Sequence, residues 1–297
     1  MPGPILDAAV LSSISHLELH ARQAVEGAVS GMHHSHLMGR NVEFSEHRPY
    51  NPGDELRHID WRVFAKTDRF HVKQFEEDTN LRTQILIDLS GSMWFGDTTT
   101  KALYSQQMAA AFSYLILHQG DSVGLATFDQ KISEYLPPRN RREQWSNILE
   151  TLVKTEPNAH SSNISGALEL MREFVKKRGI FILISDLIED PERVLQALSV
   201  MQKMKQDVIV FHVLSPEELD LPYRGTVDFY GAEGEEDTLR TAPKKLRDGY
   251  RRRVESFIET YRNACLEMGA DYQLTRTDRP LDQMLREYLQ QRMKQMV

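Results

Sequence analysis

Two hydrophobic periodicities alternate along the chain after residue 82. Short, continuously apolar runs such as residues 180–184 (IFILI) predict strands that are buried on both faces. Longer segments between them have helical spacing, for example residues 191–204. Alternating strands and helices predict an α/β fold with a doubly wound, mostly parallel sheet. The predicted strands are 83–88, 122–128, 131–136, 180–184, 207–213 and 271–275, and the predicted helices are 101–119, 141–155, 164–177, 191–204, 246–268 and 281–296.

Residues 1–82 have a different pattern. Helical spacing over residues 7–29 predicts one helix, which ends before Gly31. Residues 39–75 are rich in charged, aromatic and turn residues without a clear period, and they predict an irregular, β-rich extension packed on the sheet. We therefore predict two domains, 1–82 and 83–297. Residues 219–237 are predicted to form an exposed hairpin or flap at the rim of the sheet.

Composition excludes several classes of protein. The 297 residues carry a formal net charge of −7, with 40% hydrophobic and 27% charged side chains, which argues against collagen-like and disordered chains. One cysteine, Cys265, cannot form an internal disulfide. An acidic chain has no general attraction to nucleic acid, and no apolar run reaches the ~18 residues of a membrane helix. We expect a cytoplasmic protein with no nucleic-acid partner and no membrane span.

Polar residues follow two of the predicted strands, where open α/β sheets bind their ligands. Asp88 opens the sequence DLSGS, which places Ser90 and Ser92 on the same turn, and Asp186 follows the strand IFILI. The loop HSSNISGAL offers a further hydroxyl at Ser162, with the preceding Ser161 as the rival. Oxygen ligands of this kind suit Mg²⁺ (or Mn²⁺). The alternative is a turn whose serines only cap the following helix.

These three loops resemble the metal-ion-dependent adhesion site of von Willebrand factor A domains. That site uses Asp-x-Ser-x-Ser after the first strand, a threonine in a second loop and an aspartate after a later strand. Asp88, Ser90 and Ser92 match the first element and Asp186 matches the last. Ser162 stands where threonine is usual, which keeps the hydroxyl but loses the methyl group that restricts its rotamer. The resemblance implies a von Willebrand factor A-like sheet with a divalent metal ion.

The segment immediately before the DLSGS strand resembles the signature of the domain-of-unknown-function-58 family, and the resemblance extends over about residues 17–292. It implies a partnership with a MoxR-type AAA+ ATPase, in chaperone-like maturation of complexes. Many members carry two N-terminal membrane helices, and this sequence resembles the short branch without them. The matching positions are Gly39, Phe44, Arg48, Tyr50, Pro52, Gly53, Asp54, Arg57, Ile59, Asp60 and Trp61.

Two interpretations of this signature block stay open. In the first, its charged residues form local ion pairs around the turn at Pro52 and Gly53, and Trp61 anchors the turn on the sheet. In the second, the block is a docking surface for a partner protein. The candidate docking residues are Arg48, Tyr50, Asp54, Arg57, Asp60 and Trp61.

The leading functional hypothesis is a non-enzymatic binding module. Ser90, Ser92 and Ser162 would bind the ion directly, Asp88 and Asp186 would act directly or through water, and an acidic side chain of a partner protein would complete the coordination shell. One alternative is a metal-dependent phosphoester hydrolase. Against it, no histidine or lysine is placed near DLSGS as a general base or nucleophile partner, and the motif lacks the second acid of DxD phosphatases. The other alternative is a structural scaffold with a vestigial site.

Overall fold

The computed structural model describes residues 42–49, 71–77, 81–232 and 238–295. Residues 38–81 form a compact unit separate from the rest of the chain. In this unit, β1 (Val42–Pro49) pairs antiparallel with β2 (His71–Glu77), and Arg48 lies opposite Val72. The predicted helix over residues 7–29 and the signature residues after Pro49 lie outside the described residues.

The larger unit is built on a six-stranded sheet with the strand order β10-β7-β6-β3-β4-β5. All neighbouring pairs are parallel except β4 and β5, which are antiparallel. The predicted α/β class with a doubly wound, mostly parallel sheet is therefore confirmed. The strands are β3 (Arg82–Asp88), β4 (Ser122–Phe128), β5 (Ile132–Arg139), β6 (Gly179–Ser185), β7 (Gln206–Leu214) and β10 (Asp271–Arg276).

Helices cover both faces of this sheet, which explains why the central strands are apolar throughout. On one face, Phe112 and Tyr288 pack around Phe211 of β7. On the other, Leu168, Leu198 and Tyr261 belong to one buried cluster with β6 and β7. The helices are α1 (Lys101–His118), α2 (Arg142–Val153), α3 (Ile164–Phe174), α4 (Pro191–Lys203), α5 (Pro216–Asp220), α6 (Pro243–Met268) and α7 (Leu281–Gln295).

Proline accounts for two differences from the predicted boundaries. Strand β5 continues through Pro137 and Pro138 to Arg139, which is possible because it is an edge strand whose outer N–H groups need no partner. Helix α6 begins at Pro243, three residues before the predicted start, because proline is favoured in the first helical turn. The predicted flap, residues 219–237, contains β8 (Val227–Tyr230), which pairs antiparallel with β9 (Thr238–Thr241) immediately after the predicted flap.

The candidate site lies at the point where the strand order reverses. Strand β3 has β4 on one side and β6 on the other, so the loops after β3 and β6 leave the sheet side by side at its carboxyl edge. A crevice of this kind is where open α/β sheets bind ligands. Within the described part of the chain, no helix is long and apolar enough to cross a membrane.

Candidate metal centre

Asp88 joins three loops at the carboxyl edge of the sheet. Its side chain is fully buried at the end of β3. The oxygen Oδ2 accepts hydrogen bonds from the hydroxyls of Ser185, at 2.7 Å, and Ser162, at 2.9 Å. The oxygen Oδ1 accepts from the backbone N–H of Ser90 at 3.0 Å. One carboxylate therefore holds the turn after β3, the loop before α3 and the end of β6 together.

The two serines of DLSGS direct their hydroxyls to one place. Ser90 Oγ and Ser92 Oγ are 3.3 Å apart, and both side chains are buried. Ser90 precedes a short 3₁₀ turn (Gly91–Trp94) but makes no capping hydrogen bond with its side chain. The N-cap of α1 is Thr100, whose hydroxyl accepts from the N–H of Leu103. The interpretation of these serines as simple helix caps is thus wrong.

The hydroxyl of Ser162 and that of the alternative candidate, Ser161, make hydrogen bonds with different partners. Ser162 donates to Asp88, whereas the hydroxyl of Ser161 accepts from the side-chain amide of Gln130 at 3.2 Å. Ser162 is held in place because Asn163 caps α3 by accepting from the N–H of Gly166. The hydroxyl that joins the cluster therefore belongs to Ser162.

Asp186 is paired with a lysine that sequence reasoning did not connect to the site. The Nζ atom of Lys101, the first residue of α1, lies 2.7 Å from Asp186 Oδ2 and 2.5 Å from Glu218 Oε1. Lys101 and Asp186 are both fully buried, and Ser92 also donates to Asp186. Lys101 lies 85 residues from Asp186, and only the parallel order of β3 and β6 brings them together.

The electrostatics of the two aspartates differ. Burial and the negative charge of Asp186 raise the pKa of Asp88 to about 7, although its hydrogen bonds from Ser90 and Ser185 oppose this. For Asp186, burial acts to raise the pKa, but the adjacent Lys101 ammonium outweighs burial and lowers it. Lys101 has a raised pKa despite its burial, because two carboxylates surround it. Asp186 thus has a resident counter-charge, whereas no cationic side chain among the described residues pairs with Asp88.

Glu189 and Leu187 fix the loop that follows β6. The carboxylate of Glu189 accepts from the N–H groups of Ile164, at 2.6 Å, and Ser165, at 3.2 Å, at the N-terminus of α3. Leu187 has a left-handed backbone conformation (φ 57°), and its N–H donates to Ser185 Oγ at 2.9 Å. Glu189 therefore ties the Ser162 loop to the Asp186 loop, and a strained residue next to Asp186 fits a functional position.

Gly91 lies under a cover formed by two other loops. Its N–H donates to the carbonyl of His160 at 2.8 Å. A methyl group at residue 91 would come within 2.2 Å of the Ala232 carbonyl oxygen and 3.1 Å of the Cα of Ala159. Only glycine permits such a close approach, and it lets the segment after β8 pack directly on the turn that carries Ser90 and Ser92.

The donors present fit a hard divalent cation. Among the described residues, no three His, Cys, Asp or Glu side chains converge on one point, so an ion here would depend on hydroxyl oxygens together with Asp88 and Asp186. Serine hydroxyls and carboxylates are oxygen ligands of the kind that Mg²⁺ and Mn²⁺ accept. Burial and the negative charge of Asp186 raise the pKa of Asp88, and a cation beside Asp88 would favour its ionised form.

The signature block is only partly described. Of the six candidate docking residues, Arg48 lies in β1, and its backbone position opposite Val72 is defined. The other five, from Tyr50 to Trp61, lie outside the described residues. Their roles as ion pairs or as a docking surface stay predictions.

Comparisons with solved structures find matches of low sequence identity. The conserved hypothetical protein BatB from Bacteroides thetaiotaomicron is 16% identical, with a TM-score of 0.47, over 73% of this chain and 98% of that chain. The SpRpn10 VWA domain is 13% identical, with a TM-score of 0.42, over 69% of this chain and 93% of that chain. Because both scores are below 0.5, the fold assignment here depends on the strand order described above.

Sequence comparisons place the chain in a family. The uncharacterized protein Rv1480 from Mycobacterium tuberculosis is 28% identical over 283 residues, which cover 93% of this chain and 88% of that protein. The uncharacterized protein Mb1516 from Mycobacterium bovis is similar to the same extent. The family model described as "Protein of unknown function DUF58" matches residues 46–258, more than half of the chain. The chain therefore belongs to the DUF58 family.

Proposed function

We propose that the protein is a non-enzymatic, protein-binding adaptor with a divalent metal ion at the carboxyl edge of its sheet. Ser90, Ser92 and Ser162 would contact the ion directly, and Asp88 and Asp186 would act directly or through water. The observation that supports this is the convergence of these side chains from three loops at the point where the strand order reverses.

The chemistry of the donors favours binding over catalysis. Three of the five proposed ligands are neutral hydroxyls, so an open coordination position on the ion would still accept an external carboxylate. An acidic side chain of a partner protein would occupy that position. Lys101 cannot serve as a general base, since the two carboxylates beside it raise its pKa and keep it protonated.

The partner that we propose is a MoxR-type AAA+ ATPase, acting with this protein in chaperone-like maturation of complexes. The resemblance of the signature block to this family supports that choice. A protein-binding role is also consistent with a cover over Gly91, because the loops that carry Ala159 and Ala232 lie where an approaching partner would meet the site.

A phosphoester hydrolase is the second candidate, and one observation favours it. No histidine or lysine was expected near DLSGS as a general base, and the structure places His160 beside this turn, where its backbone carbonyl accepts from the N–H of Gly91. The His160 Nδ1 atom lies 2.8 Å from Asp129 Oδ2, an arrangement that can orient an imidazole as a general base. Metal-dependent turnover of p-nitrophenyl phosphate that is lost in His160→Ala would support this candidate over the adaptor.

The adaptor is tested by co-purification with a candidate MoxR-type ATPase, in Mg²⁺ and in EDTA. We expect wild type to retain the ATPase only in Mg²⁺, and Asp88→Asn and Ser90→Ala to lose it in both conditions. Ser113→Ala is the matched control for Ser90→Ala, because Ser113 on α1 is equally buried and its hydroxyl has no hydrogen-bond partner among the described residues. Retention that is unchanged by EDTA and by Asp88→Asn would contradict a metal-bridged contact.

A further inference from the structure

Lys101, the first residue of α1, carries a fully buried ammonium group. Its ammonium contacts Asp186 Oδ2 at 2.7 Å and Glu218 Oε1 at 2.5 Å. The side chains of Lys101 and Asp186 are 0% exposed, and that of Glu218 is 17% exposed. Removing a charge from water is costly, and a buried ion pair is often no more stable than an apolar replacement. The position of Lys101 beside the candidate metal centre therefore calls for a role besides stability.

Glu218 extends this contact to a second structural element. It is the third residue of α5, and its Oε2 accepts from the N–H of Ser215 at 2.9 Å while Ser215 Oγ accepts from the N–H of Glu218 at 3.2 Å. This reciprocal capping fixes the carboxylate of Glu218 in place. Lys101 thus connects the loop of Asp186 to the turn after β7.

The charges in this buried chain can be counted. Asp88, Asp186 and Glu218 contribute three negative charges when ionised, and Lys101 contributes one positive charge, so the net charge is −2. One divalent cation would neutralise it. Without Lys101 the net charge would be −3, and without the charge of Glu218 it would be −1. Lys101 donates to Oδ2 of Asp186, whereas Oδ1 accepts from the N–H of Ile188 at 3.2 Å.

We propose that Lys101 is a resident cation of the metal centre, a positioning residue that holds Asp186 and sets the net charge of the site to match one divalent ion. This inference rests on the proposed function, since it assigns Lys101 a role toward the same ion. It goes further by making the affinity of the site for metal depend on a balance between Lys101 and Glu218.

The test is calorimetric titration with Mn²⁺ at pH 8. Lys101→Met should bind Mn²⁺ at least about tenfold more tightly than wild type, because a nearby positive charge is removed, and Glu218→Gln should bind it at least about tenfold more weakly. The double variant restores the net charge of −2, so its affinity should return to within about threefold of wild type. Lys203→Met, an exposed lysine in the last turn of α4, is the matched control and should leave the affinity unchanged.

The results separate this inference from the proposed function. An affinity that falls in Lys101→Met, or that does not follow the order of net charge, would overturn the role of Lys101 while leaving the metal centre intact. Binding of Mn²⁺ by Lys101→Met but not by wild type would contradict both the metal-bridged adaptor and the inference, because the wild-type charge would then not match one divalent ion. No binding by any variant would overturn both. If Lys101→Met does not fold, weaker binding by Glu218→Gln supports the inference and unchanged binding refutes it.

Discussion

Replacing Asp88 by asparagine should stabilise the metal-free protein while removing its response to metal. Asparagine keeps an oxygen that can accept from the N–H of Ser90. The hydroxyls of Ser162 and Ser185, which donate to the carboxylate, can rotate to accept from the new amide. The substitution therefore removes the charge of Asp88 without leaving its partners unpaired.

The magnitude follows from the pKa of Asp88, which rises from 3.8 to about 7 on folding. Between these values the folded state keeps a proton that the unfolded state has released, so stability falls as the pH rises through this window and levels off above it. At about 1.4 kcal/mol per unit, the loss is about 4 kcal/mol by pH 8. The amide of the Asp88→Asn variant cannot ionise, so the variant should avoid this loss.

The assay is urea unfolding of wild type and Asp88→Asn in EDTA, from pH 5 to pH 8. We expect the advantage of Asp88→Asn to grow by roughly 3 kcal/mol over this range. Added Mg²⁺ should stabilise wild type and leave Asp88→Asn unchanged, because a ligand that binds only the native state raises its stability. A variant that is less stable than wild type at pH 8 in EDTA, or a difference that does not change with pH, would refute the reasoning.

Three further substitutions address the supports of the site and the fold. Glu189→Gln should lower the free energy of unfolding by about 1 kcal/mol, because it loosens the N-terminus of α3, and it should weaken the Mg²⁺-dependent rise in melting temperature. Glu192→Gln, at an exposed position in the first turn of α4, should change neither the free energy of unfolding nor this rise. Gly91→Ala should cost about 1–3 kcal/mol in urea unfolding because its methyl group meets the Ala232 carbonyl. Gly249→Ala, inside α6, should instead stabilise by about 0.5–1 kcal/mol, because a methyl group there would meet no atom of the described residues within 4 Å beyond its own helix backbone. Arg292→Met should lower the free energy of unfolding by about 2 kcal/mol, since Arg292 is 7% exposed and joins α7 to the part-exposed Asp207 and Asp271. The comparison is Arg286→Met, which removes an exposed i,i+4 ion pair with Asp282, and an equally small loss of stability in both variants would contradict this prediction.

The sequence predicted the sheet well because its central strands are buried on both faces. A continuous apolar run such as IFILI has no competing interpretation once helices flank it, and β6 was predicted within one residue at each end. The two strand-end aspartates, Asp88 and Asp186, were likewise visible because parallel strands end at the same edge. The strands follow from the local pattern of apolar residues, and the placement of the two aspartates follows from the rule that parallel strands end at one edge of the sheet.

The supports of the site could not be predicted in the same way. Lys101 follows a run of threonines at the start of a helix, a position typical of a solvent-exposed residue, and its partners Asp186 and Glu218 lie 85 and 117 residues away. In the sequence, Glu189 has no feature that distinguishes it from other acidic residues that precede a helix. Only the three-dimensional arrangement of loops at the switch point pairs these residues. A lysine close after an Asp-x-Ser-x-Ser turn is the one signal that could have indicated the first pair.

The burial of the site restricts how a partner can reach it. Asp88, Ser90 and Asp186 are 0% exposed, so their oxygens face inward, away from solvent. Ser162 is only partly buried and is followed by the exposed Asn163. A carboxylate from a partner would therefore have to approach beside Ser162 or displace the segment around Ala232 that lies on Gly91. In the arrangement described, Asp88 already accepts three hydrogen bonds, and displacing the segment around Ala232 would cost free energy. Binding of the ion and binding of the partner should each offset part of this cost, so each should favour the other.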